Sequence, residues 1–196
     1  RIRVIPHGVR TMEKLPPLAS REKMILHVGA VQRRKNLARL VKAFESTDSE
    51  WRLVLAGSFG YGADEVLRSI ADSPRRSQIE VLGYVDSSTL ANLYGRAGVF
   101  AFPSLDEGFG MPVLEAMVAG VPVLTSSRSA LPEVSGDSAL MVDPTSTEAI
   151  AEGLRRLTAD QPRREDLVRR GFSRAGIFRW EDAIRATWTV YRELLA

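Results

Sequence analysis

The sequence predicts an α/β fold: a parallel sheet with helices on both faces. Three observations carry this. Met24 to Val28, Trp51 to Ala56, Gln78 to Leu82, Val99 to Phe102, Val121 to Thr125 and Ala139 to Val142 are short, largely apolar runs without in/out alternation, as in strands buried on both sides. Helix-patterned segments of about ten residues separate them, the rhythm of βαβ units. The first three runs end in Gly29, Gly57 and Gly83, and the fourth in Pro103, so sharp turns gather at the carboxyl ends of the strands. In such sheets ligands bind in the crevice beyond those ends.

Taken in order, Arg1 to Val9 is expected to be a short β-like run closed by Pro6 and Gly8, and Leu15-Pro16-Pro17-Leu18 is connector chemistry. Asn36 is placed to N-cap a helix whose Leu37, Leu40, Val41 and Phe44 fall on one face. The glycine-rich loop Gly57 to Gly62 precedes a helix from about Asp64 to Ala71, and Asp86 or Ser87 caps another bearing Leu90, Leu93 and Tyr94. Pro112 starts the next helix, which runs to Ala119 with Gly120 just past its end. A short helix begins at Leu131-Pro132-Glu133. Thr147 to Thr158 carries Ile150, Leu154 and Leu157, and Arg163 to Arg174 reads as helical and basic. A last helix lines up Trp180, Ile184, Trp188, Tyr191 and Leu195.

With 196 residues, 44% hydrophobic and 26% charged, the chain is one ordinary globular domain or one with a small appendage. A net charge of +3, with no aromatic-interleaved basic stripe, argues against nucleic acid despite a pI near 9.5. Lysine occurs only at 14, 23, 35 and 42. The absence of cysteine excludes disulfides and thiolate metal sites and suits a cytoplasmic setting. No apolar run is long enough to span a membrane, and no signal-peptide pattern is present. The chain opens at Arg1 without methionine and reads as a fragment.

The stretch Glu107-Gly108-Phe109-Gly110-Met111-Pro112-Val113-Leu114-Glu115 carries the chemistry. A helix start offers unpaired N–H groups and the positive end of the dipole to an anion. Two carboxylates beside such a site accept hydrogen bonds from hydroxyls, which phosphate alone would not supply. Phosphate plus diols describes a nucleotide sugar. The plain alternative is a tight βα loop with two exposed glutamates. Arg34 and Lys35, at the end of the first main strand, are candidates to neutralise a diphosphate leaving group, against the usual fate of a solvated basic loop. Gly57 to Gly62 lacks the G-x-G-x-x-G spacing of a dinucleotide fingerprint and is expected to be a rim loop. His27 lies in a buried strand and reads as a satisfied core residue, and no histidine–carboxylate set has metal-ligand spacing.

The run Phe102 to Met117 resembles the E-x7-E signature of the family 4 retaining glycosyltransferases, which have the GT-B fold of two Rossmann-like domains facing across a cleft. Val28 to Leu37 is similar to that family's phosphate loop, Leu82-Gly83-Tyr84-Val85 to its base-binding turn, and Ser129 to Val134 and Val142-Asp143-Pro144 also fit. One departure is Ala30, where many members have Arg directly after the glycine. The resemblance implies a Rossmann-like, nucleotide-sugar-binding domain over residues 11–178. Residues 1–10 would then be the interdomain linker, and 179–196 a helix crossing back toward an N-terminal, acceptor-binding domain. It implies that Glu107 holds the donor sugar and Glu115 the ribose. Backbone N–H groups of Phe109, Gly110, Met111 and Val113 would face the sugar and diphosphate, with Gly108 and Gly110 allowing close approach, and Gly83, Tyr84 and Val85 would meet the base. Arg34 or Arg33 would join Lys35 on the phosphates.

No metal or other cofactor is implied. The implied donor is a nucleoside diphosphate hexose, GDP-mannose by likeness of EGFGMPVLEAM and SALPEV to bacterial mannosyltransferases. The acceptor would be a hydroxyl of a glycan or lipid-linked molecule, reached at the inner face of the membrane. The basic stretch Arg163 to Arg179 is read as a solvated face, with peripheral contact to anionic lipid as the alternative. Two rivals remain at this stage: a non-catalytic module recognising a nucleotide or partner, and a GT-B-type sugar-nucleotide epimerase, whose glutamate and histidine arrangement is not found.

Overall fold

A computed structural model describes residues 2–10 and 16–195. Its six strands are β1 (Glu22–Val28), β2 (Arg52–Ala56), β3 (Ile79–Gly83), β4 (Ala97–Phe102), β5 (Val123–Ser126) and β6 (Leu140–Val142). All pairings are parallel, in the order β3-β2-β1-β4-β5-β6. The helices are α1 (Leu37–Phe44), α2 (Ala63–Ala71), α3 (Ser87–Arg96), α4 (Met111–Val118), α5 (Leu131–Ser135), α6 (Thr147–Ala159), α7 (Gln161–Ala175) and α8 (Trp180–Leu195). No helix among the described residues is long and apolar enough to cross a membrane.

Alternation along the strands divides the core in two. Met24, Leu26, Val54, Phe100 and Phe102 pack with α3, α4 and α5, while Ile25, Leu53, Leu55, Val99 and Ala101 pack with α1, α2 and α6. Neighbouring residues in a strand point to opposite faces, and here both faces are apolar and covered, which is why the runs in the sequence do not alternate. The chain leaves β1 toward one face and β4 toward the other. These two strands are adjacent, so their carboxyl ends flank a crevice at the point where strand order reverses.

Two local expectations change. Residues 2–10 form no strand: Gly8 lies against the backbone of Trp180, and the Val9 N–H donates to the Phe178 carbonyl at 2.9 Å, so this segment is tied to the start of α8. Its opening residue Arg1 and the connector residues 11–15 lie outside the described residues. Asn36 does precede α1, but its side chain caps nothing; its backbone is left-handed (φ 61°) and its amide serves another purpose. The apolar stripe of α8 is largely exposed, with Ile184 64% and Trp188 62% accessible, and Ile5, Pro6 and His7 lie along part of it.

Candidate functional site

The crevice between β1 and β4 is closed by two loops. From β1 the chain passes through Gly29 into a 3-10 turn at Arg33–Lys35, and from β4 it passes through Pro103 to Gly110 before α4 begins. The Leu105 N–H donates to the Arg34 carbonyl at 2.9 Å, joining the two loops directly. Gly57 to Gly62 buttresses the first loop from the far side. Val31 donates to the Ser58 carbonyl, Gly60 to Val31 and Arg33 to Tyr61, all at 2.8 or 2.9 Å.

Three side chains predicted from sequence meet here. Lys35 Nζ donates to Glu107 Oε1 at 2.6 Å, and Arg34 Nη1 donates to Glu107 Oε2 at 2.7 Å and to the Asp106 carbonyl at 2.6 Å. Each carboxylate oxygen therefore has its own cation. The side chains of Lys35 and Glu107 are each only 8% exposed, against 43% for Arg34. Arg33 turns away toward Glu65 on α2, 3.6 Å distant, so Arg34 is the arginine that faces the crevice. Burial pushes the Glu107 carboxyl up, but Lys35, the nearby Ser104 hydroxyl and Arg34 outweigh it and hold the group below the usual carboxylate range. Burial also pushes the Lys35 ammonium down, and here the attraction of Glu107 only partly offsets the loss of water. Lys35 further rests over the Phe102 ring, 4.6 Å from its centroid.

The backbone of Glu107 is fixed as firmly as its side chain. Its N–H donates to Ser129 Oγ at 2.8 Å, and the same hydroxyl donates to the Glu107 carbonyl at 2.6 Å. Asn36, the residue expected to cap α1, instead donates through Nδ2 to the Pro103 and Pro144 carbonyls at 2.9 and 2.7 Å. It ties the loop after β4 to the loop after β6. Both Ser129 and Asn36 adopt positive φ, which non-glycine residues seldom do, and both spend their side chains on neighbouring backbone.

α4 starts at Met111, with Pro112 second rather than first. Gly110 before it has φ 111°, and a Cβ there would stand 2.7 Å from Leu131 Cδ2, so a side chain is excluded on both counts. The N–H groups of Phe109 and Gly110 reach no backbone carbonyl among the described residues; Phe109 is half-buried and Gly110 buried. The Val113 N–H does not: it donates to the Gly110 carbonyl at 2.9 Å, and the residue is fully buried. Glu115, expected in the first turn, is the fifth residue of α4 and lies just beyond it. Its Oε2 accepts from the hydroxyl of buried Tyr94 at 3.0 Å. Burial, helped by Glu115, pushes the Tyr94 phenol well up, so it remains a donor. Glu115 is thus held in place on α4, separately from the Arg34–Lys35–Glu107 cluster.

The turn after β3 borders the same rim. The Gly83 carbonyl accepts from the Gly57 N–H at 2.7 Å, Tyr84 is 81% exposed, and Val85 packs on the hydrophobic cluster that also receives Phe109 and Met111. Among the described residues no three His, Asp or Glu side chains gather as metal ligands do. Sequence reasoning missed the supporting residues Ser129, Asn36 and Tyr94. Ser129 stood within a quoted motif but carried no role, and nothing in linear spacing pairs Tyr94 with Glu115.

A parallel sheet of this order, with its charged loops at the β1/β4 switch point, defines a Rossmann-like domain of the GT-B type. The chain belongs to the family described as Glycosyl transferases group 1, whose pattern matches residues 10–174. It is similar to O-antigen chain mannosyltransferase B of Escherichia coli, 37% identical over 173 residues that cover 86% of this chain and 45% of the relative. Among solved structures it resembles sucrose-phosphate synthase from Thermosynechococcus elongatus, with TM-score 0.85 and 28% identity over 98% of this chain and 52% of the other. It also shares its fold with the C-terminal domain of a glycosyl transferase group 1 family protein from Francisella tularensis, with TM-score 0.69 and 23% identity over 80% of this chain and 86% of that domain. The chain spans about half the length or less of the curated relatives it matches.

Proposed function

We propose that this chain is the donor-binding half of a retaining, family 4-type hexosyltransferase that uses a nucleoside diphosphate sugar, and that GDP-mannose is the donor. The observation that carries this is the buried carboxylate of Glu107 held between Arg34 and Lys35, next in the chain to the N–H groups of Phe109 and Gly110, which no backbone carbonyl among the described residues takes. Such a site offers cations and N–H donors to a diphosphate and an acceptor to sugar hydroxyls. Membership of the glycosyltransferase family and the likeness to an E. coli mannosyltransferase support it.

In this reading Arg34 and Lys35 stabilise charge on the departing diphosphate, and Glu107 orients the sugar through its hydroxyls. Glu115 holds the ribose, and Gly83, Tyr84 and Val85 border the base. Phe109, Gly110 and Met111 bring their backbone to the sugar and phosphates, with Gly108 giving clearance. Val113 takes part only by supporting the turn. The bond from the anomeric carbon to the phosphate oxygen breaks as the bond to the acceptor oxygen forms on the same face, and the acceptor proton passes to the leaving phosphate. The chain then needs no covalent nucleophile and no metal ion. The acceptor, a hydroxyl on a glycan or lipid-linked molecule at the cytoplasmic face of the membrane, would be held by an N-terminal domain of the full protein.

Calorimetric titration with GDP-, UDP- and ADP-sugars tests the proposal. One family of donors should bind selectively, Glu115→Ala should weaken nucleotide binding, and Glu107→Ala should lose the added affinity of the sugar while sparing plain nucleoside diphosphate. Binding of none of these donors would instead favour a module with another partner.

A further inference from the structure

Behind the ion pair, at the end of β1, stands a polar group that the reaction above does not use. His27 is fully buried, contrary to the expectation of a satisfied core residue only in one respect: half of its ring is unpaired. Nδ1 lies 3.0 Å from the Ala101 carbonyl, which fixes it as the donor, so Nε2 is an acceptor. That Nε2 has no hydrogen-bond partner among the described residues. Buried polar side-chain atoms are nearly always paired, and an exception calls for a reason.

The reason is visible at Gly29. A Cβ built there would lie 3.4 Å from His27 Nε2 and 3.5 Å from Lys35 Nζ, so the lone pair and the ammonium converge on the space above one glycine. Phe102 completes the arrangement: the imidazole stacks on its ring at 5.4 Å with planes 13° apart, and the same ring carries Lys35. Gly29, at φ 144°, keeps the space free of a side chain.

We infer that His27 is a positioning residue for Lys35, its Nε2 lone pair holding the ammonium at the end of β1 when Glu107 turns to a ligand. In the free protein Glu107 is the acceptor that fixes Lys35. Once sugar hydroxyls draw on that carboxylate, the buried cation turns to His27 as an immobile acceptor, so it meets the phosphate from a set position. The neutrality of the buried imidazole agrees with this, because a protonated ring would repel the ammonium. The role in ligand binding rests on the nucleoside diphosphate reading above.

The test separates the two. His27→Asn keeps the donor to Ala101 and loses Nε2, His27→Gln keeps a polar group near Nε2, and His27→Phe keeps the ring and loses both nitrogens. With whichever of GDP, UDP or ADP binds the wild type, Asn and Phe should weaken affinity about tenfold, a hydrogen bond to a charged group, while Gln restores most of it. In a Lys35→Met background the Asn change should have almost no further effect. Full additivity of the two substitutions would overturn the inference. A ligand-free arm uses the protein's four lysines, labelled with nitrogen-15. The Lys35 ammonium resonance, assigned by its loss in Lys35→Met, should move in both Asn and Phe variants. An unmoved resonance in the Phe variant would reduce His27 to packing. If no diphosphate binds the wild type, the functional reading fails and this arm alone decides the inference.

Discussion

Lys35→Met is the sharpest probe of the site, because it removes one charge of a pair with nearly equal burial. Methionine fills much of the lysine stem and leaves Glu107, 8% exposed, without its 2.6 Å partner. Removing one member of a buried pair costs about 3–5 kcal/mol, mostly because the other charge is left in a poor solvent. Here Arg34 remains 2.7 Å from the second oxygen, but it is 43% exposed and well solvated itself, so the loss belongs near the lower limit, about 3 kcal/mol. Adding Glu107→Leu removes the stranded carboxylate and should restore most of that, since an apolar pair of similar volume often equals a buried ion pair. Urea denaturation at pH 7 measures both, with an unchanged slope as the sign that the unfolded state is unaffected. A single variant losing under about 0.5 kcal/mol would place Lys35 and Glu107 in water. A double variant as unstable as the single one would show that the loss is packing rather than charge.

Three further outcomes follow from the geometry. His27 is neutral in the fold, its pKa lowered from 6.5 to about 4 chiefly by burial and also by Lys35, against support from Ala101 and Glu107. A depressed folded value means that its contribution is whole above the unfolded pKa and is lost as pH falls. Stability should therefore drop by about 3 kcal/mol between pH 6.5 and 4 through this residue, and that slope should flatten in His27→Phe measured by denaturation across the range. Ser129→Ala removes both hydrogen bonds on the Glu107 backbone and should cost about 1–2 kcal/mol by the same method. It should also weaken binding of the sugar moiety more than that of the nucleotide. Gly57→Ala would set a Cβ 2.0 Å from the Gly29 carbonyl oxygen at φ 153°. It should cost more than about 3 kcal/mol, and a loss below about 1 kcal/mol would mean that the rim is looser than drawn.

The sheet was legible because its evidence is local. Six apolar runs, three of them closed by glycine, mark strands that need no partner to be recognised, and doubly buried strands leave a pattern that few other structures share. The charged cluster was legible for a related reason: in a parallel α/β sheet, strand ends locate the ligand crevice, so Arg34, Lys35 and Glu107 stood out by position. What could not be read depended on tertiary geometry. Asn36 has the composition of an N-cap, and only the approach of two proline-bearing loops converts its amide into a tie between them. The resemblance offered the Val113 N–H to the ligand, and only the tight turn at the start of α4, where the Gly110 carbonyl takes that N–H at 2.9 Å, withdraws it. Residues 2–9 have an apolar pattern, but Pro6 lacks a donor and Val9 gives its own to Phe178, so the segment docks on α8 instead of joining a sheet edge.

A buried ion pair is a poor way to stabilise a protein, since its desolvation cost nearly cancels its attraction. The Lys35–Glu107 pair is therefore better explained by what could replace it. An anion alone would gain Lys35 and Arg34 but bring its charge against Glu107. A neutral sugar alone would gain Glu107 but leave both cations competing for the same carboxylate. A ligand with a diphosphate on one side and hydroxyls on the other satisfies all three groups at once, with each oxygen or nitrogen exchanging one partner for another rather than losing one. On the proposed function, the pair is a filter: it cancels one of the empty site's two positive charges and keeps the site ordered, and it resists opening to ligands that carry only half of the required chemistry. The exposed Arg34 and the buried Lys35 divide that task, one reachable from solvent at first contact and the other engaged only when Glu107 has been drawn toward the sugar.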